Sequence, residues 1–427
     1  MMEYYVTVTD KTVTEISERR PQGQFDRQIE GRGKLLAAGL YNAHCHSPMT
    51  LFRGYGEDLP LDRWLSERIF PAEELLTDES VRAGSMLAIA EMLKNGIVSF
   101  TDMYSLCEAT AYCVIESGIK ANIGRAILSF NPDVDMSVDA RMRELIALAD
   151  AYHGAADGRV RIDMAIHAEY TNNAKSVAYV AEYAAKGGYG IQLHLSETEK
   201  EHNECIARHN MTPARFFHSL GVFDSPVSAA HCVWVSDEDI ALMAECGVTA
   251  VHNPSSNLKL GSGVMPLRKM LDSGVNVALG TDGAASNNTL DIFKEMHLAA
   301  ILHKGISRQP GITKAPEIWR LATENGAISQ QRPDSGTLRV GGIADLILID
   351  LEALNNLPSY DFYSTLVYSA GASDVVLTMV DGRILYEKGE FKTIDIEKVK
   401  YNFGKIMARY YDGMDNPPAV LTFSDKK

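Results

Sequence analysis

The sequence predicts an α/β protein: a (β/α)8 TIM barrel carrying a small β-sandwich built from both chain ends. Three observations carry that reading. Eight apolar, strand-like runs recur at 35–43, 96–101, 119–127, 160–167, 190–194, 227–231, 248–252 and 275–281, with helical segments between them. The runs are almost uninterruptedly apolar, as strands of a parallel sheet covered on both faces must be. Both ends of the chain change character, to short β runs with turn signals. A doubly wound open sheet would require a glycine-rich phosphate loop after its first strand. Neither that loop nor a G-x-x-x-x-G-K-[ST] motif is present.

The connecting helices are expected at 79–94, 140–152, 176–186, 212–220, 237–246 and 266–272. In the first, Val81, Met86, Leu87, Ile89, Ala90 and Leu93 share one face. Gly96, Gly118, Gly187, Gly247 and Gly274 supply helix ends. Residues 36–335 are assigned to the barrel. Residues 1–35 with 336–427 are assigned to the sandwich, with β runs at 4–17, 337–340, 344–349, 375–380 and 383–386 and a surface helix at 396–411. Val-Asp-Gly-Arg at 380–383 is a hairpin-turn signal.

Composition narrows the function classes. The 427 residues are 46% hydrophobic and 23% charged, in the range of ordinary globular enzymes. The formal net charge of −15 leaves no basic stripe for nucleic acid or an anionic membrane. No apolar run approaches the ~18 residues of a membrane span, and the N-terminus lacks a signal-peptide pattern. Six cysteines with no C-x-x-C pair suit free thiols in a reducing cytoplasm. The expected partner is a small-molecule substrate, and homo-oligomerisation is left open.

The chemistry concentrates at the ends of the apolar runs. His44 and His46 flank Cys45 at the end of the first. Alternate strand residues point the same way, so both imidazoles can reach one ion while Cys45 faces away. His194, His231 and Asp282 each close another run. The C-terminal ends of barrel strands converge on one face, so these residues are expected to share a site. Three imidazoles (His44, His46, His194) and the Asp282 carboxylate suit one divalent ion, Zn2+ first and Fe2+ second. Such an ion lowers the pKa of bound water from about 15.7 to roughly 7. That shift is on the order of 12 kcal/mol at ~1.36 kcal/mol per unit. General acid–base catalysis contributes only ~10²–10⁴-fold, so the ion should dominate. Glu197, three residues past His194, is the candidate proton shuttle. Its competing reading is a solvated acid in the run Glu197, Glu199, Glu201 at a helix start. His231 is read as orienting the water rather than as a fourth histidine ligand. His167 stands where a bridging lysine carbamate would hold a second metal, which favours a mononuclear site.

These residues lie in recognisable strings: Asn-Ala-His-Cys-His-Ser-Pro-Met, Thr-Asp-Met-Tyr, His-Leu-Ser-Glu, Ala-Ala-His-Cys-Val-Trp, His-Asn-Pro-Ser-Ser-Asn-Leu-Lys-Leu and Gly-Thr-Asp-Gly-Ala-Ala-Ser-Asn-Asn. Together they resemble the amidohydrolase superfamily, in the branch of S-adenosylhomocysteine/methylthioadenosine deaminases and triazine chlorohydrolases. The resemblance runs from about residue 35 to 389. It implies metal ligands His44, His46, His194 and Asp282, and catalytic roles for Glu197, His231 and Asp282. By the same resemblance Trp64 walls the substrate pocket, Glu73 binds ribose hydroxyls, and Arg125 and His167 contact substrate. Two positions depart from the branch: Ala38 replaces a proline, and Glu169 replaces the proline after His167. The second is expected to put a carboxylate beside the pocket, against an anionic substrate tail. The implied activity is hydrolytic deamination of an aminated N-heterocycle, with an adenosine-type nucleoside as the leading substrate. The alternatives are a guanine, cytosine, pterin or aminotriazine deaminase, a triazine chlorohydrolase, and, more remotely, an inactive metal-binding sensor.

Overall fold

The computed structural model of the protein describes residues 4–412. Residues 1–3 and 413–427, assigned above to the sandwich, lie outside the described residues. The chain opens with a two-stranded antiparallel ribbon, β1 (Tyr5–Thr9) and β2 (Thr12–Ser17). Then β3 (Lys34–Ala38) pairs with strands from the far end of the chain. The barrel follows: β4 (Leu40–Cys45), β5 (Ile97–Tyr104), β6 (Lys120–Ile127), β7 (Val160–Ile162) with β8 (Met164–Ile166), β9 (Ile191–Leu195), β10 (Val227–His231), β11 (Thr249–His252) and β12 (Asn276–Leu279). All neighbouring pairs are parallel. Strands β7 and β8 form one stave, interrupted at Asp163, whose buried carboxylate accepts hydrogen bonds from Asn122 and Gln192.

The run expected at 35–43 is two strands rather than one. Sheet pairing places 36–38 with the terminal strands, so the crossing into the barrel falls at Gly39 and not between 35 and 36. A Cβ at Gly39 would sit 2.3 Å from Val98 Cγ1, so only glycine passes there. The barrel closes without a regular ladder between β12 and β4. Thr281 N–H donates to Asn42 Oδ1 at 2.9 Å, Asn42 Nδ2 donates to Thr281 Oγ1 at 2.7 Å, and Asp282 N–H donates to the His44 carbonyl at 2.9 Å. Gly280 lies on this seam, where a Cβ would approach the His44 backbone to 2.9 Å.

The helices expected between strands form with small shifts at their ends; Ala140–Tyr152 matches at both. No helix was expected between 282 and 335, yet Ile292–Ser307, Ala315–Ala322 and Glu324–Ser329 are helical. The first is capped by the Asp291 side chain, which accepts from the Phe293 and Lys294 amides. No described helix is long and apolar enough to cross a membrane.

Strand β3 joins β13 (Leu346–Asp350), β14 (Val375–Val380), β15 (Arg383–Glu387) and β16 (Glu390–Phe391) in an antiparallel sheet. The expected hairpin is present, with Asp381 (φ 48°) and Gly382 (φ 73°) both left-handed. The β run expected at 337–340 is instead irregular and leads into a turn, tied to β2 by Gly341 N–H donating to the Val13 carbonyl. This sheet docks on the barrel through a buried ion cluster. Lys120 Nζ of β6 lies 2.5 Å from Asp345 Oδ2 and 2.7 Å from Asp381 Oδ1, and Tyr41 OH donates to Asp345 at 3.1 Å.

Candidate active site

His44 is the last residue but one of strand β4, and His46 directly follows the end of that strand. The His44 and His46 rings stand 4.9 Å apart, while Cys45 Sγ turns the other way, 3.7 Å from the buried Asp102 carboxylate. His194, on β9, brings its Nε2 to 3.4 Å from His46 Nε2. One ring nitrogen of each of the three histidines lies within 4.8 Å of the others.

Main-chain carbonyls set the tautomers. A carbonyl can only accept, so His46 Nδ1–H donates to Met103 O (2.5 Å) and His194 Nδ1–H donates to His167 O (2.8 Å). Each ring therefore turns an Nε2 lone pair towards the cluster, the arrangement that metal-ligating histidines require. His44 Nε2 is buried with no hydrogen-bond partner. It lies 3.6 Å from Asp282 Oδ1, and His46 Nε2 lies 3.2 Å from the same oxygen. A buried, unsatisfied imidazole nitrogen beside converging lone pairs and a carboxylate fits a divalent cation. Asp282 Oδ2 is occupied by the Ser256 hydroxyl at 2.6 Å and the Ser286 hydroxyl at 2.9 Å. Burial opposes the charge on Asp282. His44 and His46 outweigh it and hold the carboxyl well below its ordinary pKa.

Glu197 and His231 stand beside this cluster. Glu197 is buried, which excludes the solvated-acid reading, and burial raises its pKa. Its Oε1 accepts from Ser262 Oγ at 3.0 Å, and its Oε2 lies 3.7 Å from His231 Nε2. His231 Nδ1 is 2.8 Å from Asn257 Oδ1, which fixes the ring. The chain is left-handed at Ser196 (φ 47°), His231 (φ 74°), Cys232 (φ 46°) and Asp282 (φ 60°). Such backbone is strained in non-glycine residues and gathers at functional sites.

Trp64, Glu73, Arg125 and His167 all line the same cleft as His46, His194, Glu197, His231 and Asp282. The cleft encloses about 770 Å3, including its open mouth. His44 is buried behind these residues and is not among the lining groups. The helix of 61–73 contains one wide turn, in which Phe70 N–H donates to the Leu65 carbonyl. Pro71 explains it: proline has no N–H and its ring collides with the carbonyl four residues back, so the turn before it opens. The wide turn brings residues five apart onto one face, and Trp64, Leu65, Ile69, Phe70 and Glu73 all line the cleft. Burial raises the Glu73 carboxyl pKa, against the opposing effect of the Tyr104 hydroxyl. Burial, with the neighbouring His46 and His44, pushes His167 down to about 3, so that ring is neutral.

One expectation is overturned. Glu169 does not reach the cleft. It is buried against Arg208, whose Nη2 lies 2.5 Å away, and His209, whose Nε2 lies 2.8 Å away. Its charge is met within the fold, because the Arg208 guanidinium and the His209 ring, both from the helix Glu199–His209, contact it.

The sequence reading also missed supporting groups. Glu201, taken there as part of a solvated run, is buried. It accepts Ser196 N–H at 3.1 Å and Glu197 N–H at 2.8 Å. Burial and the neighbouring Glu197 charge push it up to about 7. Thr198-Glu199-Lys200-Glu201 is a capping-box pattern and could have shown a carboxylate folding back on the chain. Glu295, also buried, accepts Ser255 N–H at 2.9 Å and Asn287 Nδ2–H at 2.8 Å, bracing the loops that carry Ser256, Asn257 and Ser286.

The amidohydrolase family model matches residues 35–385 of the chain. The protein belongs to the amidohydrolase family. Among curated amidohydrolase relatives, the 5-methylthioadenosine/S-adenosylhomocysteine deaminase of Dictyoglomus thermophilum is 43% identical over 393 residues, covering 92% of this chain and 91% of that one. The 5′-deoxyadenosine deaminase of Methanosarcina mazei is 41% identical over 394 residues, covering 92% and 90%. Among solved structures, an adenosine deaminase from Xanthomonas campestris with bound zinc superposes with a TM-score of 0.90 at 33% identity, covering 95% and 93%.

Proposed function

We propose that this amidohydrolase is a metal-dependent hydrolytic deaminase of adenosine-type nucleosides, releasing ammonia. The observation that carries the reading is the buried Glu197, facing His231 beside the three-histidine–Asp282 cluster at the floor of one cleft. Relatives named as adenosine-nucleoside deaminases, more than 40% identical over nine-tenths of the chain, support it.

His44, His46, His194 and Asp282 would hold one divalent ion, which we assign as zinc. When bound, it supplies Lewis-acid activation of water. His231, braced by Asn257, turns Nε2 towards the attacking water and orients it. Glu197 takes the water proton and passes it to the ring nitrogen beside the amine-bearing carbon. Asp282 carries the second proton to the departing amine, and ring C=O and NH3 result. Glu197 suits this task because burial raises its pKa towards the operating range. We assign Trp64 to the pocket wall, Glu73 to the ribose hydroxyls, and Arg125 and His167 to further substrate contacts. We place the catalytic unit in the barrel and the protein in the cytoplasm, where its six free cysteines would stay reduced.

The test is ammonia release by purified, zinc-loaded protein. The panel is adenosine, 5′-methylthioadenosine, 5′-deoxyadenosine, S-adenosylhomocysteine, guanine, cytosine, a pterin and an aminotriazine. Turnover of one or more adenine nucleosides well above the other rings is expected. Turnover confined to the other rings would overturn the proposal.

A further inference from the structure

We infer that Ser262 and Trp234 are positioning residues for the proton step: Ser262 holds the Glu197 carboxylate from outside the cleft, and the Trp234 indole holds Ser262. The inference rests on the deaminase reading above, in which Glu197 carries the proton.

The buried Ser262 hydroxyl donates to Glu197 Oε1 at 3.0 Å. Glu197 lines the cleft and Ser262 does not, so the hydroxyl reaches the carboxylate from outside the substrate space. The second oxygen, Oε2, is left towards His231 Nε2, 3.7 Å away. The last torsion of a glutamate is broad and two-fold, so an untethered carboxylate presents either oxygen. One tied at Oε1 presents Oε2. Oε2 then takes the proton from the attacking water and gives it to the ring nitrogen, while Oε1 keeps its hydrogen bond from Ser262.

Trp234 sets the place of Ser262. Its indole Nε1–H donates to the Ser262 carbonyl at 2.8 Å. Its main-chain N–H donates to the Ser196 carbonyl at 2.9 Å, and that of Val233 donates to the same carbonyl at 3.1 Å. Trp234 therefore ties the residue before Glu197 to the residue that holds the Glu197 carboxylate. A Cβ at Gly263 would sit 2.9 Å from Val233 Cγ1, so the Ser262 loop lies close against this segment. Trp234 is exposed, so core packing does not account for a tryptophan there, whereas its N–H does. Ser262 N–H donates to the Asn257 carbonyl at 2.8 Å, which anchors the loop's other end. Asn257, which braces His231, is itself held in the helix Pro254–Lys259, its N–H donating to the Asn253 carbonyl at 3.0 Å. The indole contact thus bears on Glu197 rather than on His231.

The experiment measures kcat and KM of the zinc-loaded enzyme on whichever nucleoside of the panel above is turned over fastest. The variants are Ser262→Ala, Trp234→Phe, the two combined, Glu197→Gln, and Ser262→Ala in Glu197→Gln. Ser262→Ala removes a hydrogen bond to a charged group and should lower kcat by about tenfold or more. KM should change little, because the side chain lies outside the cleft. Trp234→Phe keeps a ring and removes the N–H, and kcat should fall about threefold. Because the indole acts through Ser262, Trp234→Phe should cost nothing further in the Ser262→Ala enzyme. Ser262→Ala should likewise cost nothing further in Glu197→Gln, which has no proton carrier left to position. Equal losses with and without Glu197, additive losses in the Ser262–Trp234 pair, or an unimpaired Ser262→Ala would overturn the inference and leave the deaminase assignment standing. An unimpaired Glu197→Gln, or a wild type that turns over no nucleoside, would overturn the reading on which it rests.

Discussion

The Glu201 carboxylate accepts the main-chain N–H of Glu197 at 2.8 Å. Its second oxygen holds the neighbouring Ser196 N–H at 3.1 Å, across a backbone that is left-handed at Ser196. Glu197, the proton shuttle we propose, is therefore aimed by a second acid four residues on. Glu201→Gln offers one acceptor oxygen where two N–H groups need one each. Losing a hydrogen bond to a charged group costs ~1.5–3 kcal/mol. We expect kcat to fall by about 10- to 100-fold, with KM changing little. Steady-state kinetics separate the two, and a proportional rise in KM would count against a positioning role.

Glu197→Gln should bind its metal normally and lose about 10²–10⁴ in kcat, the usual worth of a proton carrier. Metal content by elemental analysis, set beside turnover, checks this. Unchanged turnover would remove Glu197 from the mechanism.

Glu73 tests the ribose contact. Glu73→Ala should cut kcat/KM for adenosine far more than for free adenine. Equal losses on nucleoside and base would mean that Glu73 supports only the fold around Tyr104 and the helix of 61–73.

Glu295 gives a pH signature. Burial pushes its carboxyl up to about 7, against about 4.3 in an unfolded chain. Below the lower value both states are protonated and the group costs nothing. As pH rises towards 7 the unfolded chain ionises first, so the folded state loses stability, and the loss is complete above 7. Glu295→Gln keeps the shape and has no proton to lose. Its melting temperature should fall less between pH 5 and pH 8 than that of the wild type. Parallel curves would show that Glu295 is ionised in the fold throughout.

The barrel, and the polar residues that gather at its strand ends, were legible because parallel strands leave a plain mark, an apolar run ending abruptly in a polar residue. His44, His46, His194, His231 and Asp282 all carry it. What escaped depends on partners distant in sequence or on a change of period. Glu169 meets Arg208 and His209 some 40 positions on, so its charge could not be placed from its neighbours. The helix of 61–73 alters its repeat at the turn before Pro71, so a uniform 3.6-residue pattern misreads which side chains share a face. Glu201 was misjudged because a run of three acids reads as solvated. Only the fold shows that Glu199 is exposed while Glu197 and Glu201 are buried.

Lys120 has its own bearing on how the molecule can be divided. Its ammonium belongs to β6, but both acids that neutralise it, Asp345 and Asp381, arrive after the last barrel strand. A fragment ending before residue 345 would lose both counter-charges together with the sheet that covers them, and would bare to water the barrel end on which that sheet docks. The cylinder is thus unfinished until Asp345 and Asp381 have been made, and an excised barrel should aggregate rather than work as a minimal enzyme.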